Sequence, residues 1–474
     1  MNSVRVRFAP SPTGHVHIGN IRAAIFNWLY ARHAGGAFLL RVEDTDLERS
    51  TPEAIATLHD IMQWLGLDYD EEPLRQTTQR DVHTAAAERL VGQGAAYLSA
   101  KGGEGQATLF RIPWAAEALP GVSEVGEVEV EVHPDVPVRV SGGGVNYAGV
   151  SRKGKPIPDA GCLAGFQDLR VLDADGNVLF EIGEHLDTLL SGAASFDVDG
   201  AAQLRFTRRQ IAFDDLVKGR LAKPLDSMRD FVIVRSDGSP VFHLANVCDD
   251  ISQGITHIVR GDDHVENTYR HLFLFAALEA APPIYGHLPM IVNERGKPYS
   301  KRDGDAFVGD FRDKGYLPEA LFNYLTLLGW SPGDDREKLT RAELVSAFTL
   351  DRVQRSAAQM DIRKMQNLNG QYMAALSPEV FAADAHRAVQ SECWCPDTPD
   401  EMFLRVASLM QSRTKLFPDV GGWRHFFEEI PEYDDQAVRK VLRKESVPEA
   451  LEELFSALEN VCFDSVSDIE AALL

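Results

Sequence analysis

The sequence predicts an α/β chain whose parallel sheet is split by a β-rich insertion and followed by an all-helical C-terminal region. Three observations lead there. The first hundred residues alternate short apolar strands with amphipathic helices, at the spacing of parallel crossovers. From about Gly102 to Arg209 glycine is frequent and helix signals are few. Beyond about Phe311 the pattern turns helical, with acids and bases interspersed along amphipathic faces.

Val4 to Ala9 reads as a buried strand that runs into the turn-rich Pro10-Ser11-Pro12-Thr13-Gly14. Ile21, Ala24, Ile25, Trp28 and Leu29 then fall at helical spacing, predicting a helix from about Asn20 to His33. Phe38 to Val42 is the next strand, closed by Glu43-Asp44-Thr45-Asp46. A second helix is well punctuated: Thr51 caps, Pro52 suits the first turn, and Gly66 stops it. Glu127 to Val132 alternates acid with valine, as a half-exposed strand does. Ala174-Asp175-Gly176-Asn177 is the turn of a hairpin. Apolar strands return at Phe231 to Val234 and Ile255 to Val259, and no internal repeat is visible.

Composition narrows the classes. At 474 residues with 44% hydrophobic content, the chain suits two to four globular domains. No apolar run approaches the roughly 18 to 20 residues that span a bilayer. Met1 to Phe8 alternates like a strand and lacks signal-peptide features, so a cytoplasmic address is expected. Cys162, Cys248, Cys393, Cys395 and Cys462 form a scattered, odd set that suits reduced thiols. Nothing has the spacing of a metal site, so neither structural zinc nor any other protein-held metal is expected. The charge of −23 leaves an RNA role open, because phosphate binding needs a local basic surface and not a basic average.

Two segments carry chemistry. His17-Ile18-Gly19-Asn20 lies between the first strand and its helix, where oriented N–H groups favour phosphate. Gly14 and Gly19 permit close approach, and His15 and His17 offer donors. The bland alternative is a capped helix with surface histidines. Gly296-Lys297-Pro298-Tyr299-Ser300-Lys301-Arg302-Asp303-Gly304 reads as a loop with adjacent cations, able to close on a triphosphate. Alone it would be a solvated basic turn. The two in this order, one in each half of a split α/β domain, are far more specific.

Longer blocks resolve the matter. Arg7 to Gly14, His17 to Asn20 and Arg41 to Asp46 resemble the opening of the bacterial-type glutamyl-tRNA synthetases of class I. Phe213 to Gly219, Arg235 to Gly238, Ile255 to His264, Gly315 to Ala320 and Leu328 to Trp330 continue the likeness. It covers about 1–100 and 211–375 closely and the remaining C-terminal part loosely. The resemblance implies a Rossmann-like catalytic domain in two halves, 1–100 and 230–310, around a connective insertion at 101–229. It also implies a stem-contact helical domain at 311–375 and a helical anticodon-binding domain at 376–474.

The implied activity is ATP-dependent ligation of L-glutamate to the 3′-terminal adenosine of tRNA(Glu) through glutamyl-adenylate, releasing AMP and pyrophosphate. His17 and Lys301 are the implied catalytic pair. ATP would be held by His15, His17, Gly19, Lys301 and Arg302 with Mg2+. Arg7, Ser11, Glu43, Phe242, Asn246 and Arg260 would enclose glutamate. Arg260 is assigned to the side-chain carboxylate, since a planar fork prefers a carboxylate to a carboxamide. Glu43 faces the ammonium. Lys364 and Arg413 would touch tRNA, and a monomer without a membrane partner is expected. No protein nucleophile is needed, because positioning and charge stabilisation suffice.

Four departures stand against this pattern. Pro298 and Tyr299 replace a lysine and an aliphatic residue. Phe242 replaces a tyrosine, a loss of about 0.5–1.5 kcal/mol if its hydrogen bond is not replaced. An unfamiliar β-rich stretch, Pro113 to Gln210, stands for the usual acceptor-binding insertion. The chain stops at Leu474, before a last helical segment, implying a shortened anticodon domain. They motivate one rival, a catalytically impaired or regulatory tRNA-binding paralogue. A glutamylating enzyme for a modified tRNA base is disfavoured by the helical region, and a general nucleotidyltransferase would not need Glu43 and Arg260 together.

Overall fold

The computed structural model describes all residues except 1–2, 13, 47–49, 100–104, 116–120, 430–434, 445, 460, 462–468, 470 and 472–474; Thr13, Cys462 and Leu474 thus fall outside it. The chain divides into two compact units, Met1–Tyr372 and Met373–Leu474.

In the first unit, strands Arg5–Phe8, Ala37–Val42 and Leu74–Arg75 form a parallel sheet. Helix Ile18–Ala34 makes the crossover between the first two; it buries Ile21, Ala24, Ile25 and Leu29 of the expected stripe, with Trp28. The next helix is Pro52–Trp64. Thr51 caps it by accepting the Ala54 N–H, and Gly66 follows at φ +62°, a left-handed turn that side chains other than glycine resist.

The second half of the sheet begins at strand His257–Gly261, parallel to Ile284–Leu288. Thr256 N–H donates to the Arg5 carbonyl at 2.9 Å, which joins this strand's start to the first strand across 251 residues of sequence. Helices Phe242–Ser252 and Val265–Ala277 cover these strands, and their cores merge through Leu244, Val247, Phe273 and Leu274.

The expected β-rich insertion is present. One sheet centres on the 13-residue strand Gln203–Asp215, which pairs with Val122–Glu131, Phe166–Leu172 and Gly219–Pro224. A second holds Ser195–Val198, Val138–Ser141, Gly144–Val150 and Pro156–Gly161. Val140, Val145, Phe166, Val171, Leu204 and Phe206 close a core between them. As the acid–valine alternation predicts, Glu127, Glu129 and Glu131 face solvent while Val128 and Val130 pack inward. The hairpin at 174–177 also forms, with the Asp173 N–H on the Asn177 carbonyl at 3.0 Å.

The long strand links insertion and catalytic sheet. Its register slips between Arg208 and Arg209, and a bulge of this kind re-aims every later side chain. Leu204 and Phe206 therefore enter the insertion core, while Ile211 joins the other. Arg209 is buried at the slip, bonded to the carbonyls of Ala164 and Trp114. The strand ends on Asp215, beside Tyr285 in parallel register.

A small sheet of Ala96–Ser99, Ala107–Phe110 and Phe231–Val234 hangs on Asp230. That carboxylate accepts the Ile112 N–H at 3.0 Å and the Tyr97 hydroxyl at 3.1 Å, and burial pushes it up to about 6. Because the folded-state value is raised, this group's share of stability is intact below about pH 4 and is lost as pH rises through 6. Asp230→Asn keeps an acceptor for Ile112 and removes the charge. It should raise stability at pH 7.5 by about 1 kcal/mol or slightly more, with no gain at pH 4, in parallel thermal melts.

In the second unit, helices Pro378–Val389 and Glu401–Met410 pack with the 3₁₀ segment Phe417–Phe426 around Phe381, Phe403 and Trp423. Ser377 and Asp400 cap the two helices. The expected helical character beyond Phe311 holds in both units.

Candidate active site

A cavity of about 610 Å³ opens where the two halves of the parallel sheet meet, at the carboxyl ends of its strands. The halves are stitched there by main chain. His17 bridges Phe307, the Ile18 N–H donates to the Ala306 carbonyl at 2.9 Å, and the Val308 N–H to the Val16 carbonyl at 2.9 Å. The motif before the first helix and the lysine loop are therefore neighbours, although nearly 300 residues apart.

One wall is the first turn of helix Ile18–Ala34, contributing His17, Gly19, Asn20 and Arg22. His17 caps that helix, its Nδ1 accepting the Gly19 N–H at 3.1 Å. Burial holds its imidazole below the ordinary value, against a hydrogen bond with the Tyr299 backbone that works upward. A neutral ring with an accepting Nδ1 carries its proton on Nε2, and that N–H goes to the Tyr299 backbone. Arg22 was not foreseen. It is buried, drawn down to about 10 by burial, and held by the carbonyls of Leu328 and Pro289.

The opposite wall brings together the six residues expected around an amino acid: Arg7, Ser11, Glu43, Phe242, Asn246 and Arg260. Asn246 Nδ2 donates to Glu43 Oε1 at 2.6 Å, and its buried carbonyl oxygen has no partner among the described residues. Burial pushes the Glu43 carboxyl up, while Arg41 and Arg7 pull it back. Phe242 opens helix Phe242–Ser252 and lays its ring near His264, centroids 5.8 Å apart. Burial and the nearby Arg260 bring His264 down to about 4. Burial, then Arg270 and Arg260, bring His243 to about 4 as well. This flank is neutral near pH 7.

Arg260 is only 7% exposed, and among the described residues its hydrogen-bond partners are neutral: Thr268 Oγ1 at 2.7 Å, His287 Nε2 at 3.4 Å and the His264 carbonyl at 3.4 Å. Burial lowers its pKa to about 10. A buried guanidinium lining a cavity without a carboxylate of its own suits an incoming carboxylate.

Arg7 and Glu43 are set by a charged cluster that sequence reasoning missed. Asp250 Oδ1 accepts Arg7 Nε at 3.0 Å and Arg41 Nη1 at 2.6 Å. Asp249 holds His83 at 2.7 Å and Gln76 at 2.8 Å. Burial alone would raise the Asp250 carboxyl, but Arg41 and Arg7 keep it below its ordinary value.

The remaining expected residues lie elsewhere. His15 is exposed, its ring 4.9 Å from that of Phe307, and it lines a smaller crevice with Ser11 and Asn20. Lys301 and Arg302 are exposed and outside the cavity lining, because Asp303 folds their loop outward by binding Ser300 and Asn293. Lys301 Nζ nevertheless stands 5.9 Å from the Phe307 ring, which touches both histidines. Pro298 and Tyr299 line the cavity themselves, and the buried Tyr299 hydroxyl has no partner among the described residues. In the first unit, Lys364 is exposed and paired with Glu337 at 2.7 Å. In the second, Arg413 is exposed at the end of the turn Gln411–Arg413.

Comparison with known proteins bears on the family and the fold. The family "tRNA synthetases class I (E and Q), catalytic domain" matches residues 3–105 and 195–367, and "Anticodon binding domain" matches 373–474. The interval left between the two catalytic blocks falls in the β-rich insertion. A glutamate–tRNA ligase of Paracidovorax citrulli is 34% identical over 469 residues, 98% of this chain and 85% of that one. One of Albidiferax ferrireducens is 36% identical over 431 residues, 89% and 79% of the two chains. Among solved structures, a glutamate tRNA ligase from Elizabethkingia meningosepticum in complex with its amino acid aligns with a TM-score of 0.68 at 25% identity. It covers 100% of this chain and 89% of that one. The glutamate-tRNA synthetase of Elizabethkingia anophelis aligns equally well at 26% identity.

Proposed function

The chain belongs to the class I tRNA synthetases for glutamate and glutamine, and we propose that the cavity between the sheet halves is where it activates its amino acid. It is a glutamate–tRNA ligase, joining glutamate to tRNA at the expense of ATP. The observation carrying the assignment of the cavity is the buried Arg260 together with Glu43, a guanidinium and a carboxyl group lining one 610 Å³ space. Glutamate would set its side-chain carboxylate on Arg260 and its ammonium between Glu43 and the Asn246 oxygen. Arg7 and Ser11 serve the remaining polar atoms.

ATP would lie along the first turn of helix Ile18–Ala34, with phosphate oxygens facing its N–H groups and His17. Among the described residues no group of three His, Cys, Asp or Glu is placed to hold a metal ion. Magnesium would instead arrive on the triphosphate, whose oxygens and bound waters suit that ion. The glutamate α-carboxylate attacks the α-phosphorus, the bond to the β-phosphate breaks, and pyrophosphate leaves. The ribose 2′-hydroxyl of the tRNA then takes the acyl group and AMP departs. Lys301 acts by charge, as its loop swings from solvent over the departing pyrophosphate. Lys364 and Arg413 serve tRNA(Glu). A monomer in the cytoplasm completes the proposal; no helix among the described residues is long and apolar enough to cross a membrane.

The test is formation of glutamyl-tRNA from glutamate, ATP and tRNA(Glu) by the purified protein. Lys301→Ala should lower kcat by roughly 10–100-fold with an unchanged melting temperature, since the side chain is exposed. Full activity in that variant would remove Lys301 from the mechanism. Binding of tRNA without turnover by the parent protein would remove the cavity assignment.

A further inference from the structure

The groups that hold Arg260 form a chain, in which the Thr268 hydroxyl has His287 Nε2 at 3.0 Å as its nearer acceptor and the His264 carbonyl at 3.4 Å as its more distant one. Asp215, at the end of the long insertion strand, is fixed by three backbone donors: Val217 at 2.9 Å and Lys218 at 2.7 Å on Oδ1, and His287, whose N–H lies 3.1 Å from Oδ2. Its Oδ2 also takes the His287 Nδ1–H at 2.6 Å. Burial would raise this carboxyl, but the bonds from His287 and the Lys218 backbone keep it below its ordinary value, so it is an ionised acceptor.

Burial lowers the His287 pKa in turn, leaving a neutral ring with its one proton on Nδ1. Nε2 is therefore a lone pair. It faces Thr268 Oγ1 at 3.0 Å and, more distantly, Arg260 Nε at 3.4 Å. The Thr268 oxygen accepts from Arg260 Nη2 at 2.7 Å, so its own hydrogen is free to go to His287. Thr268 and His287 are both fully buried, and the Tyr285 ring stacks on His287 and under the guanidinium.

We infer that Asp215, His287 and Thr268 are positioning residues that fix the Arg260 guanidinium for reading the substrate's side-chain carboxylate. This rests on the reading of Arg260 as that carboxylate's receptor. A counter-ion in direct contact would hold the guanidinium equally still but would compete with the substrate. Here the nearest carboxylate of that hydrogen-bonded chain, Asp215, stands behind His287 and does not touch the guanidinium. Nε and Nη2 are spent on orientation, against His287, Thr268 and the His264 carbonyl, and Nη1 is left to serve the cavity. The insertion strand thereby bears on amino-acid selection, since it ends on Asp215.

Thr268→Val preserves shape and removes the hydroxyl's bonds to Arg260, His287 and the His264 carbonyl. It should raise KM for glutamate about tenfold, with a smaller change in kcat and a comparable fall in the preference for glutamate over glutamine. Thr268→Ser should restore both. In the parent enzyme, ¹⁵N spectra should show His287, assigned by its loss in His287→Gln, protonated on Nδ1 and bare on Nε2. Asp215→Asn should erase that signature and raise KM. The relay is overturned if Thr268→Val keeps the parent KM and preference while Arg260→Gln does not, or if the His287 proton sits on Nε2. If Arg260→Gln also leaves KM unchanged, the carboxylate reading itself falls, and the relay with it.

Discussion

Arg260→Gln is expected to lower kcat/KM for glutamate by roughly 10²–10³, about 2.7–4 kcal/mol, mainly through KM. The size follows from burial. At 7% exposure, with neutral partners only, this guanidinium meets a carboxylate in a site that water barely reaches. Charge-assisted pairs of that kind are the strong ones, and a substrate carboxylate left facing a carboxamide is desolvated without compensation. Discrimination against glutamine should fall in parallel, because the neutral side chain no longer penalises a neutral ligand. Stability should not fall with activity. Removing a buried cation that lacks its own carboxylate relieves a desolvation cost, so the melting temperature should hold or rise. Aminoacylation kinetics with both amino acids, alongside a thermal melt, measure all three quantities. An unaltered KM for glutamate would show that the carboxylate lies elsewhere.

Much of this was legible in the sequence, for reasons that are local. The helix Pro52–Trp64 announces itself through Thr51, Pro52 and Gly66, whose effects act within a turn. The strand Val122–Glu131 shows its two faces in the acid–valine alternation. Motif blocks carried Arg7, Glu43 and Arg260 to a single cavity, since each stands at or just past a strand's carboxyl end within a block.

What stayed hidden is pairwise and distant. Asp249 and Asp250 sit on the helix Phe242–Ser252, where nothing local marks them as buried. Their partners, Arg7, Arg41 and His83, lie 166 to 243 residues earlier. His287 is likewise silent until Asp215 and Thr268 are placed beside it. The bulge at Arg208/Arg209 has no sequence signature of its own, although the arginine pair at that point hints that the strand changes partners. Lys301 shows the opposite limit. Its motif was plain, but the loop's outward set depends on Asp303 bonding Asn293 and Ser300, a geometry no motif encodes.

Asp250→Ala should be the most destabilising single change in the catalytic unit, by about 3–5 kcal/mol. Asp250 is 1% exposed, and one of its oxygens serves both Arg7, at 3% exposure, and Arg41, at 0%. Alanine leaves two cations buried; among the described residues, Glu43 at 3.5 Å and Asp249 at 3.9 Å remain near Arg41, and no carboxylate remains in contact with Arg7. The loss exceeds that of an ordinary hydrogen bond because the desolvation of both guanidinium groups remains while their compensation is gone. Asp250→Asn keeps an acceptor oxygen and should cost less, so the alanine, asparagine and parent proteins should melt in that order. Glutamate binding should weaken in the asparagine variant as well, because the bond that anchors Arg7 at the edge of the cavity is no longer charge-assisted. Were Asp250→Ala to melt with the parent, the two arginines would have found water or new partners, and the cluster would not be what fixes Arg7 in place.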